Sequence, residues 1–456
     1  MSDIGILLLI TIGAIALLLI LVMKFNIHAF IALMIASMFV GIGTGMYASD
    51  VLKSMQEGMG GILGFVAVII GLGAIFGQLL EASGGAEALA QKLLSIFGAN
   101  RAPWALTISG FFISIPIFLD IGFIILVPVV YALARKSGRS TLHYAIPLLA
   151  GLAVTHAFIP PTPGPVAVAQ ILNAHLGWVI IFGFVIGVPT AICAGPIFGK
   201  YIGKRIMAMP PIPEVLTKSD EEEAKAYQKA SFTTVAALIG LPLLLIMINT
   251  IVDFQVKANM YSETQTWVQV VYFLGHPFTA LLLATLGAVY FLGAKLGYSS
   301  AKVLELSNKA LGPAGLIILV TGAGGMFKQI LVDSGVGLAL GETMMMMKLS
   351  PLVLAYLLAV IIRLTQGSAT VAMITSAGMV APMLELIDVS DPYKALVVIA
   401  IAAGATTFSH VNDSGFWLVS KYLYISEKQT LKSWSIMETI ISVVGFSMAL
   451  LLSLFV

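Results

Sequence analysis

Asp120, Arg363, His410 and Asp413 stand within long apolar runs. At such depth an ionisable side chain needs a partner or a water-filled cavity. Asp120 lies in SIPIFLDIGF, residues 114–123. A carboxylate at mid-membrane costs about 2.5–3.5 kcal/mol on insertion scales, so it either does work or is neutralised. It could hold a coupling proton or a substrate hydroxyl; protonation or capping of a helix is the plainer alternative. In RLTQGSAT, residues 363–370, Gly367, Ser368 and Thr370 open a new helical arm, with Gln366 just before it. A helix N-terminus carries roughly half a positive charge and suits an anion, and Arg363 adds a permanent one. The competing reading has Arg363 snorkelling to an interface and the hydroxyls bonding back to their own helix.

Two further stretches interrupt apolar runs. THAFIPPTPGPVAVAQ, residues 155–170, places four prolines in 160–165, which no regular helix tolerates. TTFSHVNDSGFW, residues 406–417, groups Ser409, His410, Asn412, Asp413 and Ser414 before Gly415. Non-helical backbone at membrane depth survives only where it is buried or lines a wet cavity. Thr162, Gly164, Asn412 and Ser414 are therefore expected substrate contacts. Asp120, Asp413 and His410 are the expected proton-coupling groups. His156 is a weaker candidate, because a lone histidine is more often a hydrogen-bonded structural residue.

The elements that must position these residues follow from hydropathy. The chain has 456 residues, 59% hydrophobic and 10% charged, against about 25% charged in soluble domains. Apolar runs of about 20 residues recur along its length and are continuous instead of alternating, so the chain is all-α, polytopic and not a barrel. Spans are predicted at 4–23, 27–48, 58–81, 142–170 and 177–199, then at 231–252, 268–292, 311–332, 393–420 and 434–455. The run 4–23 is too long for a signal peptide and lacks a basic leader, so it reads as the first span. Two stretches, 102–134 and 351–384, are long for one helix and short for two spans, which predicts re-entrant hairpins. FGQLLEASG at 76–84 recurs as FKQILVDSG at 327–335, an offset of 251. With the same order of elements in both halves and an odd number of crossings in each, the fold class is two inverted-topology repeats, each with a re-entrant hairpin and a broken transmembrane helix. Residues 1–199 and 231–456 form the repeats, and 200–230 link them. Lys328, where the first copy has Gly77, either neutralises a carboxylate such as Asp333 or lines an anion path.

Charge placement tests that topology. With loop 200–230 in the cytoplasm and both termini outside, 18 of the 24 basic residues fall inside and four outside. That is the expected positive-inside bias of a multi-pass inner-membrane protein. Other chemistries find no footing. The single Cys193 forms neither an intrachain disulfide nor a paired thiolate metal site. TGAGG at 321–325 and GLGAIFG at 71–77 lack the strand and lysine of a nucleotide loop, and pack helices instead. MMMM at 344–347 is adaptable packing, and neither a metal, a cofactor nor a nucleic-acid partner is expected. An intramembrane enzyme lacks a recognisable catalytic set. A channel fits poorly with paired hairpins in inverted repeats.

FIPPTPGPVAVAQ, GAGGMFKQILVDSG, RLTQGSAT and SHVNDSGFWLVSKY span both halves and together resemble the gluconate permease family of proton symporters. The resemblance implies proton-coupled uptake of gluconate or a related small hydroxy or sugar acid. It also implies a homodimer with a scaffold, largely 4–48, 177–292 and 434–455, that holds a moving hairpin domain in an elevator-like cycle. Permeases for D-serine and other small organic acids are the alternative within the same family. A sodium-coupled organic anion symporter is less favoured, because sodium-coupled relatives in the wider group carry Ser-Asn-Thr at the hairpin tips, where this chain has SIPIF and TQGSAT.

Overall fold

The structure, a computed structural model, describes residues 2–210, 229–336, 339, 350–387, 389–411 and 413–456. Among the described residues every regular element is helical, and eight segments are long and apolar enough to cross a membrane. Of the expected linker 200–230, residues 211–228 lie outside them. The first part of the chain forms α1 (Ser2–Met23), α2 (Ala29–Gly43), α3 (Ala48–Ala82), α4 (Gly85–Phe97), α5 (Ala102–Ile113), α6 (Leu119–Ser137), α7 (Leu142–Phe158), α8 (Pro163–Ile171), α9 (Leu176–Ile192) and α10 (Phe198–Arg205). The second forms α11 (Phe232–Lys257), α12 (Thr266–Gly275), α13 (Pro277–Ala288), α14 (Ser300–Asp333), α15 (Pro351–Gln366), α16 (Ala369–Glu385), α17 (Asp391–Ala405), α18 (Ser414–Tyr422), α19 (Glu427–Thr430) and α20 (Ile436–Leu452).

The interruptions have local causes. Chain 114–118, with Pro116, separates α5 from α6; left-handed Gly367 (φ +79°) ends α15, and the Ser368 hydroxyl then accepts from Val371 N–H to start α16. Pro160 and Pro161 offer no N–H to extend α7, and α8 restarts with Pro163 in its first turn, where a missing N–H costs nothing. Asp413 caps the N-terminus of α18 by accepting from Gly415 N–H at 3.0 Å. Each of the expected spans 142–170 and 393–420 is thus two helices. Hydropathy misplaced two other boundaries. Helix α3 begins ten residues before its apolar run, because its first turns carry Asp50, Lys53 and Glu57. The run 268–292 is divided at His276–Pro277, where the His276 ring caps α13.

Packing places the interrupted helices at the centre. In the apolar 18-residue stretch of Leu142–Ile171 the buried share is 94%, against 39% in that of Ala48–Ala82. Helix α5 packs on α7, α15 packs on α17, and α9 and α20 both lie against α17. The most extensive helix pair is α3 with α14. They cross at Gly58 and Gly325, where a Cβ on either would stand 2.4 Å from the other's carbonyl oxygen. The repeated nine-residue motif forms the end of each of these helices. Gly84 (φ +67°) and Gly335 (φ +76°) adopt the left-handed conformation that closes them. Gln78 donates to Glu81 at 3.0 Å and Gln329 to Asp333 at 2.9 Å. The motif departs where its surroundings do. A Cβ at Gly77 would stand 2.1 Å from the Pro116 carbonyl, while Lys328 pairs with Glu385 at 2.9 Å. The carboxylate met by Lys328 is therefore Glu385, and Asp333 serves Gln329.

The crossing predicts a stability effect. Gly325→Ala should destabilise by about 1–3 kcal/mol, the usual range for overpacking. Thermal unfolding in detergent should show a lowered midpoint, with no change for Gly60→Ala, whose Cβ would meet open space.

Candidate functional site

One cavity of about 740 Å³ collects most of the polar side chains singled out by sequence. Four helix N-termini edge it: Leu119 and Asp120 of α6, Pro163 of α8, Ser368 to Thr370 at α16, and Asp413 to Gly415 at α18. Unsatisfied N–H groups and the aligned peptide dipoles make each such end favourable to negative charge. Leu316, Ile317 and Val320 of α14 supply an apolar wall.

The positive side is built around Arg363, which is 3% exposed. Its Nη2 lies 2.5 Å from Asp413 Oδ2, and its Nη1 donates to the Gly367 carbonyl. Ser409 donates to the same Asp413 oxygen, Trp434 Nε1 donates to Ser409 Oγ at 2.7 Å, and Ser435 Oγ donates to the Ser409 carbonyl. Trp434 and Ser435 sit in a π-helical turn, Leu431–Ser435, that leads into α20. The network therefore ties together the α15–α16 turn, the α17–α18 break and the start of α20. Arg363 belongs to the last turn of α15 and Asp413 to the N-cap of α18, so each charge also faces the helix end of favourable polarity. Snorkelling of Arg363 to an interface does not occur.

Several polar atoms at this place have no partner. Both Gln366 side-chain atoms, Arg363 Nε, His156 Nδ1 and Glu438 Oε1 are buried and unbonded. The donors and acceptors of Gln366, Arg363 and His156 are what a polyhydroxy ligand would engage.

The sequence candidates distribute unevenly. Asp120, Arg363, Gln366, Gly367, Ser368, Thr370, Asp413 and Ser414 line the cavity. Thr162 does not; it is buried, donates to the Ile159 carbonyl at 2.6 Å, and borders a smaller pocket beside Pro116. Gly164 packs on the Met373 sulfur, where a Cβ would come within 2.7 Å. His410 lies off the cavity lining, its Nε2 3.1 Å from the Leu364 carbonyl. Asn412 falls outside the described residues. His156, the weaker candidate, lines the cavity, with its ring edge-on to Phe118. Trp434 and Glu438 were not expected. Glu438 is the only charged residue after Lys432, and that isolation was the available signal.

Buried charges in an apolar helical frame, around a cavity edged by helix N-termini, define a multi-pass membrane transport protein. The model of the GntP family permeases matches residues 6–455, and the chain belongs to that family. It is 42% identical over 437 residues to the gluconate permease of Pseudomonas aeruginosa, covering 96% of this chain and 95% of that one. It is 38% identical over 437 residues to the Gnt-II system L-idonate transporter of Escherichia coli, covering 95% and 96%. Among solved structures, the Alcanivorax borkumensis YdaH transporter shares the fold with a TM-score of 0.64 at 14% identity, over 88% of each chain.

Removing one member of the ion pair should be costly. Arg363→Ala strands Asp413 in a largely buried setting and should destabilise by about 3–5 kcal/mol. The double variant with Asp413→Ala should recover part of that loss. A double-mutant cycle on thermal stability in detergent measures the coupling.

Proposed function

We propose that this chain is a proton-coupled symporter that carries gluconate, or a closely related sugar acid, into the cell. The observation that carries the reading is the convergence of four helix N-termini and Arg363 on one cavity. Gluconate has one carboxylate and several hydroxyls. The α16 and α18 N-termini with Ser368, Thr370 and Ser414 suit the carboxylate, and Gln366 and Asp120 suit hydroxyls. The cavity volume lies within the range of about 300–1,000 Å³ usual for small-molecule sites. Thr162 and Gly164 act one layer out, fixing the α8 N-terminus. Relatives named for gluconate and for L-idonate support a sugar acid as the substrate class.

Transport is by alternating access between inverted repeats. Helices α8 and α18 are each nine residues long and begin 251 residues apart, which supports duplication. The 12-residue α5 reaches about 18 Å at 1.5 Å per residue, short of an apolar core of about 30 Å. That supports a re-entrant α5–α6 hairpin, with α15–α16 as its partner. Charge placement supports both termini outside and loop 200–230 in the cytoplasm. In an elevator-like cycle, α3 and α14, packed on each other and with α13 against α3, belong to the frame; α9 and α20, packed on α17, travel with the hairpins. That division differs from the scaffold the family resemblance implied. The homodimer implied by the same resemblance is retained.

Proton coupling is tested in proteoliposomes. An inward proton gradient should drive gluconate accumulation, and a protonophore should abolish it. Uptake that survives the protonophore but requires sodium would exclude the proposal. Asp413→Asn should abolish accumulation, since it removes the charge that Arg363 pairs with.

A further inference from the structure

Glu438 is a carboxyl group of the cavity that the proposed substrate contacts leave unused. It is 4% exposed, projects from the first turn of α20, and has no hydrogen-bond partner at Oε1. Asp413 offers the contrast: its oxygens already accept from Arg363, Ser409 and the Gly415 N–H. Two carboxyl groups and a single guanidinium thus line the same cavity, and only Asp413 is paired with Arg363. With both ionised, the cluster of Arg363, Asp413 and Glu438 has a formal charge of −1; with Glu438 protonated it is neutral. A buried, unpaired carboxylate beside the binding position of an anion is unfavourable twice, through its own desolvation and through repulsion of the ligand.

We infer that Glu438 is the proton-binding residue that couples proton entry to anion binding. The inference rests on the symport reading and names the group that carries the proton. From the outside, a proton from cavity water forms an O–H bond at the Glu438 carboxylate and neutralises the cluster. The substrate carboxylate then settles at the α16 and α18 N-termini without an uncompensated negative charge beside it. On the cytoplasmic side the anion leaves, and Glu438 returns its proton to water. The single guanidinium of Arg363 then offsets one of two ionised carboxylates in the cavity. Proton and anion favour each other's binding by the same factor, as linkage requires.

Other titratable groups around α20 are few. Arg363 of α15 and Asp413 at the start of α18 are the charges that act on Glu438. Tyr356 of α15 is bonded to Ser442 of α20 at 3.0 Å. Helix α9 has no titratable residue, and the turn after it adds Cys193; α17 carries Asp391, Tyr393 and Lys394 in its first turns and none after them. From α7, His156 reaches the same cavity and interacts with Asp120 of α6.

Glu438→Gln, with gluconate as the probe, provides the test. In the wild type, gluconate affinity should fall as pH rises, by up to about tenfold per pH unit for one linked proton. Glu438→Gln should bind gluconate with an affinity independent of pH and support counterflow exchange. It should fail to accumulate gluconate under a proton gradient. Accumulation by this variant, a retained pH slope, or loss of gluconate binding would each overturn the inference. A retained slope would move the proton to Asp120 or His156, and lost binding would make Glu438 a ligand. Should the variant not fold, wild-type protein treated with a hydrophobic carbodiimide gives the second measurement. Mass spectrometry should locate modification at Glu438, declining as pH rises; none there at any pH, or modification independent of pH, overturns the inference. Absence of proton-driven uptake in the wild type would instead overturn the symport reading itself.

Discussion

A guanidinium held inside an apolar frame must be paired, and the rest of the site is arranged by that requirement. Arg363 meets Asp413 at 2.5 Å, and neither charge is compensated by the pair alone. Asp413 is also held by Ser409 and by the first turn of α18, and Ser409 in turn by Trp434 and Ser435. Arg363 spends a second nitrogen on the Gly367 carbonyl, which fixes the turn where α16 begins. Low dielectric strengthens each of these contacts and makes any missing one expensive. The broken helices are therefore consequences of the same demand, since only interrupted backbone presents free N–H groups and carbonyls at that depth.

Much of this was legible in the sequence, for a physical reason. Proline runs and charged residues in apolar surroundings are improbable unless the structure uses them, so 160–165, Arg363 and Asp413 announced themselves. Helix ends were less legible where composition changes gradually. The first turns of α3 are amphipathic, and hydropathy places their start ten residues late. Partners were not legible at all, because pairing is set by three-dimensional approach. Lys328 meets Glu385, far along the chain, although Asp333 is nearer in sequence. Glu438 escaped notice because a single acid near the beginning of a span reads as an interfacial residue. The π-helical turn before it is what turns attention to the Ser409 network, and such a turn leaves no mark in hydropathy.

Helix placement recurs at an offset of 251, but side-chain chemistry does not. Opposite Arg363, Ser409, Asp413, Trp434 and Glu438 stand Phe112, Phe158, Thr162, Gly183 and Gly187. At Gly183 a Cβ would meet the Phe158 carbonyl at 2.7 Å, so that region is filled by close packing. Conversely, Asp120 and His156 stand opposite Val371 and Thr407. Helix starts such as Pro163 and Ser414 keep that offset, while the polar groups differ between the two parts of the chain.

That division fixes how many ligands one chain is equipped to hold. A frame with two like pockets could in principle take up two anions and show curved saturation. Here one half brings the guanidinium, the paired acid and the unbonded glutamine, and the other brings Asp120, His156 and two helix ends to the same cavity. Among the described residues the proposed site is thus one receptacle to which both parts of the chain contribute, and a simple hyperbola is the saturation isotherm expected of it.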